Sequence, residues 1–189
     1  LRGGIDTPFV YAANRDSGAV VGTSHIIVDG ADLSDAKVCG LGEKAAATVG
    51  KSVLTVLSGK VTDPCCFNKV VDSNVVFIYQ GEAMGDVYEG FAAAAQAAQK
   101  LENAYLKLGT DVTEAATVAG GLLVDLNGHS LSGITVDGVI YCMDSTTDNY
   151  TCEKVGTLTL AGGTVATNVK TNAGEGVNIL KAMYVTYDQ

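Results

Sequence analysis

The sequence has no tryptophan and little proline or aromatic residue of any kind. Its 189 residues include 0 Trp, 2 Pro and only 6% aromatic residues, against 47% hydrophobic residues and 23 Gly. The core must therefore be built from Val, Leu, Ile and Ala, a composition that suits stacked β-strands. A chain of this length can form a core of its own and removes roughly 70% of its unfolded surface from water on folding.

Basic residues and long apolar runs are also scarce. The 12 Lys and Arg residues face 21 Asp and Glu, which gives a formal net charge of −9. The basic residues are scattered singly, so no basic stripe is available for phosphates or for an anionic membrane surface. The longest apolar stretches, such as Val75–Tyr79, are far shorter than the roughly 20 residues that span a bilayer. We therefore expect neither a nucleic-acid partner nor a membrane span.

The cysteines predict disulfides rather than a metal or redox site. They stand at positions 39, 65, 66, 142 and 152 without a Cys-x-x-Cys spacing. Cys142 and Cys152 bracket a polar segment that a bridge would stabilise by roughly 2–3 kcal/mol; the alternative is two reduced thiols facing the core. Cys39 lies about one repeat before Cys65 and Cys66 and can reach either, so one thiol is left over. The disulfide candidates are Cys142, Cys152, Cys39 and Cys66.

Five segments share a recurring form. Each has two or three β-formers in alternation, a glycine corner and a further apolar residue; they are His25–Leu33, Val53–Val61, Val75–Met84, Leu122–Leu131 and Thr157–Val165. A strand, a glycine with positive φ and a second short strand bend the chain without pairing it to itself, as in a coil of a β-solenoid. Coils near 22 residues with insertions account for most of the glycine spacings.

The alternative is a β-sandwich of hairpins. Asp29-Gly30 and Asn127-Gly128 fit two-residue hairpin turns, whereas Ser58-Gly59 and Gln80-Gly81 fit them poorly. The limbs after the glycines are also short. The pattern thus favours a solenoid over a sandwich.

One helix is predicted, from Glu89 to about Glu102. Phe91, Ala94, Ala98, Leu101 and Tyr105 recur at three- and four-residue steps along one face, and the alanine-rich composition favours a helix. A face of such small residues packs closely on a flat surface, so we expect the helix to cover an end or side of the solenoid. The alternation of Tyr105–Leu108 and then Val112 predicts a return to strand.

The run from Phe91 to Val136, with Asp125-Leu-Asn-Gly-His129 as its strongest motif and Gly156-Thr-Leu-Thr-Leu160 after it, resembles a known family. It is similar to the pectate-lyase-like right-handed parallel β-helix domains in cell-surface proteins of Gram-positive gut bacteria. The resemblance covers about two thirds of the chain and concerns architecture rather than activity. It implies an extracellular adhesive, carbohydrate-contacting or stalk-forming module.

The predicted organisation is a single all-β domain over residues 1–189, a right-handed parallel β-helix with one short Ala-rich helix. Residues 1–90 carry looser repeats and residues 91–189 the helix and the β-helix coils. Because the helix lies in the middle of the chain, the N-terminal half is open to a second interpretation as a separate β layer. The first residue is Leu1 and no signal peptide is visible, so we expect a piece of a longer repeat protein.

The sequence offers no convincing catalytic group, metal site or cofactor site. His25 and His129 both stand at repeat positions next to a strand or corner. Ser130, His129 and Asp125 cannot form a triad, because neighbours along a strand point to alternate faces. Asp125 and Asn127 share a strand face, where an asparagine typically bonds to the next coil. The spacing of Asp144, Asp148 and Asn149 does not fit a calcium loop.

Tyrosines are the remaining signal, since they offer flat contact surface to sugars and proteins. The candidate ligand contacts are Tyr79, Tyr88 and Tyr150. We expect a non-enzymatic module at the cell surface or outside the cell, without a cofactor, that binds a host or self protein or a glycan surface. Unpaired strand edges at solenoid ends also favour a homo-oligomer or filament. The alternative function is a polysaccharide lyase or glycoside hydrolase on the same fold.

Overall fold

The computed structural model describes residues 1–3, 7–12, 20–40, 48–146 and 158–166. Within these ranges strands predominate and there is one helix, so the predicted all-β class is confirmed. Contacts divide the chain into two compact units, Leu1–Ser73 and Asn74–Gln189. The break lies after Ser73, whereas the sequence pattern changes near residue 90; that the whole chain forms one domain stays a prediction. Among the described helical residues, none form a segment long and apolar enough to cross a membrane.

The N-terminal unit contains a four-stranded parallel sheet. Its strands, in the order in which they pair, are β1 (Phe9–Tyr11), β2 (Val20–Cys39), β3 (Thr48–Cys65) and β4 (Lys69–Val71). The two long strands lie side by side from the pair Val20 and Thr48 to the pair Cys39 and Cys65. Val, Ile and Thr recur along both of them, and their branched side chains pack well on a pleated surface.

Glycine corners bend the two long strands without ending them. Near Gly30 the buried residues of β2 are Ile26 and Val28 on its N-terminal side, and Ala31 and Leu33 on its C-terminal side. The alternation therefore shifts by one residue at Gly30. The pairing with β3 shifts register at the same place. Gly30 and Gly59 have φ angles of 82° and 98°, which glycine adopts at no steric cost. Both residues are therefore bends of the predicted kind.

A disulfide joins the ends of β2 and β3. Of the two alternatives for Cys39, the structure pairs it with Cys65, and the two Cα atoms are 4.7 Å apart. Cys39 and Cys65 are direct neighbours in the parallel register, which brings their side chains to the same side of the sheet. Cys66, which was a disulfide candidate, is a free and exposed cysteine, because it follows Cys65 with a positive φ of 58° beyond the end of the strand.

The C-terminal unit has two sheets. The larger contains β5 (Val75–Gln80), β6 (Ala83–Glu89), β7 (Ala104–Leu108), β9 (Thr117–Ala119), β10 (Leu122–Asp125), β12 (Thr135–Met143) and β14 (Gly162–Ala166). The smaller contains β8 (Val112–Thr113), β11 (Leu131–Ser132) and β13 (Leu158–Thr159). Where strands from β7 to β14 pair with one another, every pairing among the described residues is parallel.

The parallel strands stack apolar residues on one another at a regular step. Leu106 lies opposite Val124, and Val124 lies opposite Cys142, two steps of eighteen residues (106 to 124 to 142). In the smaller sheet Val112 lies opposite Leu131, which in turn lies opposite Leu158. All of these residues contribute to or pack against one core. The predicted step near 22 residues is thus too long for β7, β10 and β12, and too short for the step of 27 residues from Leu131 to Leu158.

The helix α1 is shorter than predicted and runs from Phe91 to Ala98. Phe91, Ala94 and Ala98 are buried, as the periodicity predicts. Leu101 is instead 44% exposed and Tyr105 lies in β7, so their assignment to the helical face is wrong. The helix begins directly after Gly90, whose φ of 94° is not helical.

The segment around Gly81 is the second departure from the sequence-based prediction. β5 and β6 pair antiparallel, with Gln80 opposite Ala83 across a turn at Gly81 and Glu82. The prediction of a non-pairing bend is wrong here because Gly81, with φ 61°, forms a two-residue hairpin turn. β5 also pairs antiparallel with β7.

Candidate functional site

The outward side chains of four neighbouring strands form two rows across the larger sheet. Alternation along β5, β7, β10 and β12 sends one set of side chains into the core and the other set out of it. We call one outward set the tyrosine row; it consists of Tyr79, Tyr105, Leu123 and Tyr141. The second set, the charged row, consists of Phe77, Lys107, Asp125 and Met143.

The tyrosine row is a continuous aromatic and aliphatic strip. The rings of Tyr79 and Tyr105 stack with centroids 5.4 Å apart at an interplanar angle of 25°. Tyr105 and Tyr141 pack, partly buried, against Leu123 and Met143. Such offset aromatic pairs contribute about 0.5–1.5 kcal/mol beyond the area that they bury. The row therefore offers ordered rings with part of each tyrosine accessible.

The Tyr105 phenol has a perturbed pKa. Burial raises this pKa from 10.0 to about 12, and the negative charge of Asp125, with smaller effects from Tyr79 and Glu82, acts in the same direction. Removing a buried phenol from water disfavours its anion, and nearby carboxylates disfavour it further. At neutral pH Tyr105 is thus a protonated hydroxyl that can donate a hydrogen bond.

The charged row holds an ion pair between neighbouring strands. Lys107 Nζ lies 3.2 Å from Asp125 Oδ2, with the lysine side chain 26% exposed and the aspartate side chain 1% exposed. Lys107 Nζ also donates a hydrogen bond of 3.1 Å to Ser145 Oγ. Among the described residues Asp125 Oδ2 has no hydrogen-bond partner, so this ionic contact with Nζ is the one that it makes.

Two buried carboxylates hold the corners that follow β10 and β12. Asp125 Oδ1 accepts the backbone N–H groups of Asn127 and Ser145, both at 2.9 Å. Asp144 Oδ1 accepts those of Thr146 at 3.0 Å and Gly128 at 3.1 Å. Each carboxylate thus satisfies one N–H of its own turn and one N–H of the neighbouring corner, a local use typical of aspartate.

Asn127 lies beyond the end of β10, which ends at Asp125, and not on a strand face with Asp125 as predicted. Its Nδ2 donates a hydrogen bond of 3.0 Å to the backbone oxygen of Leu108, at the end of the earlier strand β7, rather than to a later segment. Val124 and Leu126 point into the core from the opposite face of the same segment. Asn127 itself has a φ of 50°, a left-handed conformation that asparagine tolerates better than most residues.

The predicted ligand contacts do not come together. Tyr79 lies in the tyrosine row, whereas Tyr88 pairs with Val76 and packs against the core from the other face of the hairpin. Tyr150 lies outside the described residues. The signal that could have located the tyrosine row is the eighteen-residue step from Tyr105 to Leu123 to Tyr141. The leucine in the middle of this series hides the step in the sequence.

The remaining predicted residues have structural partners. Cys142 is buried in the core and disulfide-bonded, and Cys152, its predicted partner, lies outside the described residues. His25 Nε2 lies 2.8 Å from Thr55 Oγ1, and His129 Nδ1 lies 3.6 Å from Asp111 Oδ1. Asp148 and Asn149 fall outside the described residues. In the part of the chain that the structure describes, no group of three or more His, Cys, Asp or Glu residues is placed to hold a metal.

A shallow groove of about 380 Å³ lies between α1 and β9. Half of its lining residues are alanines, and Gln96, Gln99 and Thr117 are the polar members. Gln99 Nε2 donates a hydrogen bond of 3.2 Å to the backbone oxygen of Ala119, which closes the groove at that point. The tyrosine row, with its stacked rings and adjoining charges, is the stronger candidate site.

Comparison of the chain with protein-family models, with curated proteins and with solved structures found no match.

Proposed function

We propose that this protein is an extracellular structural or adhesive module of a bacterial surface or fibre protein, built on a β-solenoid. The architecture is supported by a group of three strands that occurs twice in succession. β7, β8 and β9 pair in parallel with β10, β11 and the start of β12, respectively. Residues 104–119 and 122–137 would each form one coil, with a core of Leu, Val and Ile between the strands. The resemblance of the Asp125–His129 motif to β-helix surface domains points the same way.

Disulfide chemistry supports the location. Cys39 and Cys65 are bridged and Cys142 is disulfide-bonded as well. Disulfides persist in secreted and cell-surface proteins and are rare in reducing compartments. The disulfides therefore favour an extracellular location for this module.

The observation that carries the binding function is the tyrosine row. Tyr79, Tyr105 and Tyr141 present partly accessible rings on β5, β7 and β12 of one sheet, with Leu123 of β10 between the last two. Aromatic faces stack on sugar rings and on apolar protein surface at low entropic cost. We therefore propose that the outer face of this sheet contacts a glycan or a protein surface of the host or of the same fibre, without chemical turnover.

Retention on immobilised ligands tests this proposal. The oxidised protein would be passed over neutral and acidic polysaccharides and over extracellular-matrix proteins, beside the double variant Tyr79→Ala/Tyr141→Ala. Phe9→Ala is the matched control, because Phe9 is an exposed aromatic residue, 42% accessible, in the other unit. We expect retention of the wild type and of Phe9→Ala, and at least a tenfold weaker affinity for the double variant, the loss of about 1.4 kcal/mol.

The same polysaccharides test the enzymatic alternative. After incubation with the protein, the release of reducing or unsaturated product sugars would replace the adhesive proposal with a carbohydrate-active enzyme. Equal retention of the wild type and the double variant would mean that the tyrosine row does not bind the ligand.

Assembly is a separate part of the proposal. Strands at the two ends of a solenoid present unpaired backbone groups that favour pairing with another copy. Light scattering as a function of concentration, under oxidising conditions, should show a rising mean mass. A constant monomer mass over the whole range would contradict filament formation.

A further inference from the structure

The charged row brings an amine and a carboxyl group together in apolar surroundings. Lys107 and Asp125 are direct neighbours on the parallel strands β7 and β10. Along the same row, Lys107 is flanked by Phe77 and Asp125 by Met143. Phe77 is only 6% exposed and Met143 only 2% exposed. The pair is thus enclosed by apolar residues on both sides, where separated charges are poorly solvated.

The two oxygens of Asp125 have different environments. Oδ1 accepts two backbone N–H groups, from Asn127 and Ser145, at 2.9 Å each. Oδ2 faces Lys107 Nζ at 3.2 Å and accepts no hydrogen bond. Two N–H donors on one oxygen form the arrangement that stabilises the oxyanion of a tetrahedral intermediate, and the other oxygen is free to leave.

From this geometry we propose that Lys107 and Asp125 form an intramolecular isopeptide bond, an amide between Nζ and Cγ. Proton transfer from Nζ to Oδ2 removes both charges and leaves a neutral amine beside a carboxylic acid. Nζ then attacks Cγ, and the electron pair of the Cγ–Oδ1 double bond moves onto Oδ1, between the N–H groups of Asn127 and Ser145.

Collapse of this intermediate restores the double bond to Oδ1 and breaks the Cγ–Oδ2 bond. Oδ2 leaves as water after it receives a second proton from Nζ, for which the Ser145 hydroxyl, 3.1 Å from Nζ, is a suitable relay. The ammonium and carboxylate thus become one amide and one water molecule, with no oxidant and no further reactant. Fixed proximity lowers the activation barrier, since groups held in a reactive geometry react as if at effective concentrations of about 10⁵ M or more.

The bond would link two successive coils through their side chains. Peptide hydrogen bonds already join β7 to β10, and the amide would add a covalent tie between residues that are eighteen positions apart (107 to 125). This inference does not depend on the adhesive function proposed above. Its failure would leave the tyrosine row and the binding experiments untouched.

Intact mass of the full chain tests the inference. The purified protein is fully reduced and denatured before mass spectrometry, so that disulfides do not contribute. We expect a mass lower than the sequence mass by one water molecule, and a protease digest that contains a branched peptide joining Lys107 to Asp125. In Lys107→Arg the full sequence mass should return, whereas the control Lys100→Arg, at an exposed lysine, should keep the loss.

Two results would overturn the inference. One is a folded wild-type protein at its full sequence mass. The other is a water loss that persists in Lys107→Arg, because that loss would come from a cyclised aspartate elsewhere in the chain. Should Lys107→Arg fail to fold, the wild-type mass and the branched peptide still decide the question.

Discussion

Glu114 Oε2 accepts the backbone N–H of Phe91 at 2.5 Å, although the two residues are 23 positions apart in the chain. The same oxygen accepts the N–H of Ala92 at 3.2 Å. These are donors of the first helical turn that Gly90, which has no side chain, cannot satisfy. The carboxylate that follows β8 therefore caps α1 and joins the helix to the parallel strands.

Removal of this long-range cap should destabilise the protein. We expect Glu114→Ala to lower the free energy of unfolding by about 1 kcal/mol, through the loss of two hydrogen bonds and of a negative charge at the helix N-terminus. Urea unfolding followed by circular dichroism measures the change. Glu102→Ala is the control, since the Glu102 side chain is exposed and should change stability little. Equal stability of the two variants would contradict the capping role.

The disulfide between Cys39 and Cys65 should contribute more than the cap. Its loop spans a sequence separation of 26 residues, and replacement of both cysteines by alanine should cost about 3 kcal/mol. The control is Cys66→Ser, which removes the free thiol and should leave the unfolding midpoint unchanged. If Cys66→Ser were as damaging as the double variant, Cys66 rather than Cys65 would be the partner of Cys39.

Gly59 should tolerate no side chain. A Cβ atom there would overlap the Ala31 backbone oxygen and come within 2.9 Å of the Ala31 nitrogen, and the φ of 98° is strained for any other residue. We expect Gly59→Ala to cost roughly 3 kcal/mol or more, the sum of overpacking and backbone strain.

Gly81→Ala is the matched comparison for that prediction. Gly81 also has a positive φ, of 61°, but nothing lies within 4 Å of a Cβ at that position. Its cost should therefore be only about 1–2 kcal/mol, from the backbone conformation alone. Thermal and urea unfolding of the two variants should separate the cost of steric overlap from the cost of backbone strain. Similar losses of stability in both variants would mean that the backbone moves and removes the overlap between the new Cβ at residue 59 and Ala31.

The raised pKa of Tyr105 predicts a loss of stability in alkali. The folded protein holds the phenol proton up to about pH 12, whereas the unfolded chain releases it near 10.0. In this window the unfolded state binds fewer protons, so stability falls as the pH rises. Tyrosinate absorbance should show a late step that is absent in Tyr105→Phe. A single titration near pH 10 would contradict this environment.

Much of the strand pattern could be predicted from the sequence, because alternation and glycine corners are local signals. The bends at Gly30 and Gly59 and the return to strand at Leu106 and Leu108 are of this kind. The hairpin at Gly81 was missed since a glycine with positive φ serves a bend and a turn equally well. Which of them forms depends on whether Ala83–Glu89 pairs back onto β5, a contact that the local sequence does not specify.

The candidate site was harder to predict than the fold. Tyr79 and Tyr88 look equivalent in sequence, but the antiparallel register places them on opposite faces of the β5–β6 hairpin. Lys107 and Asp125 meet only because β7 and β10 are parallel with a step of eighteen residues (107 to 125). A repeat of that length is invisible when its members are a lysine, an aspartate and a methionine, which share no chemistry.

The eighteen-residue step also governs which insertions and deletions the C-terminal unit can accept. Removal of residues 109–126 would join Leu108 to Asn127, and Cys142 would then follow Leu106 at the same interval as Val124 does now. A deletion one residue shorter would bring Tyr141, instead of Cys142, to eighteen residues after Leu106 and so turn its side chain into the core. Along β7, β10 and β12, only a change by the full step keeps the residues that face the core in register.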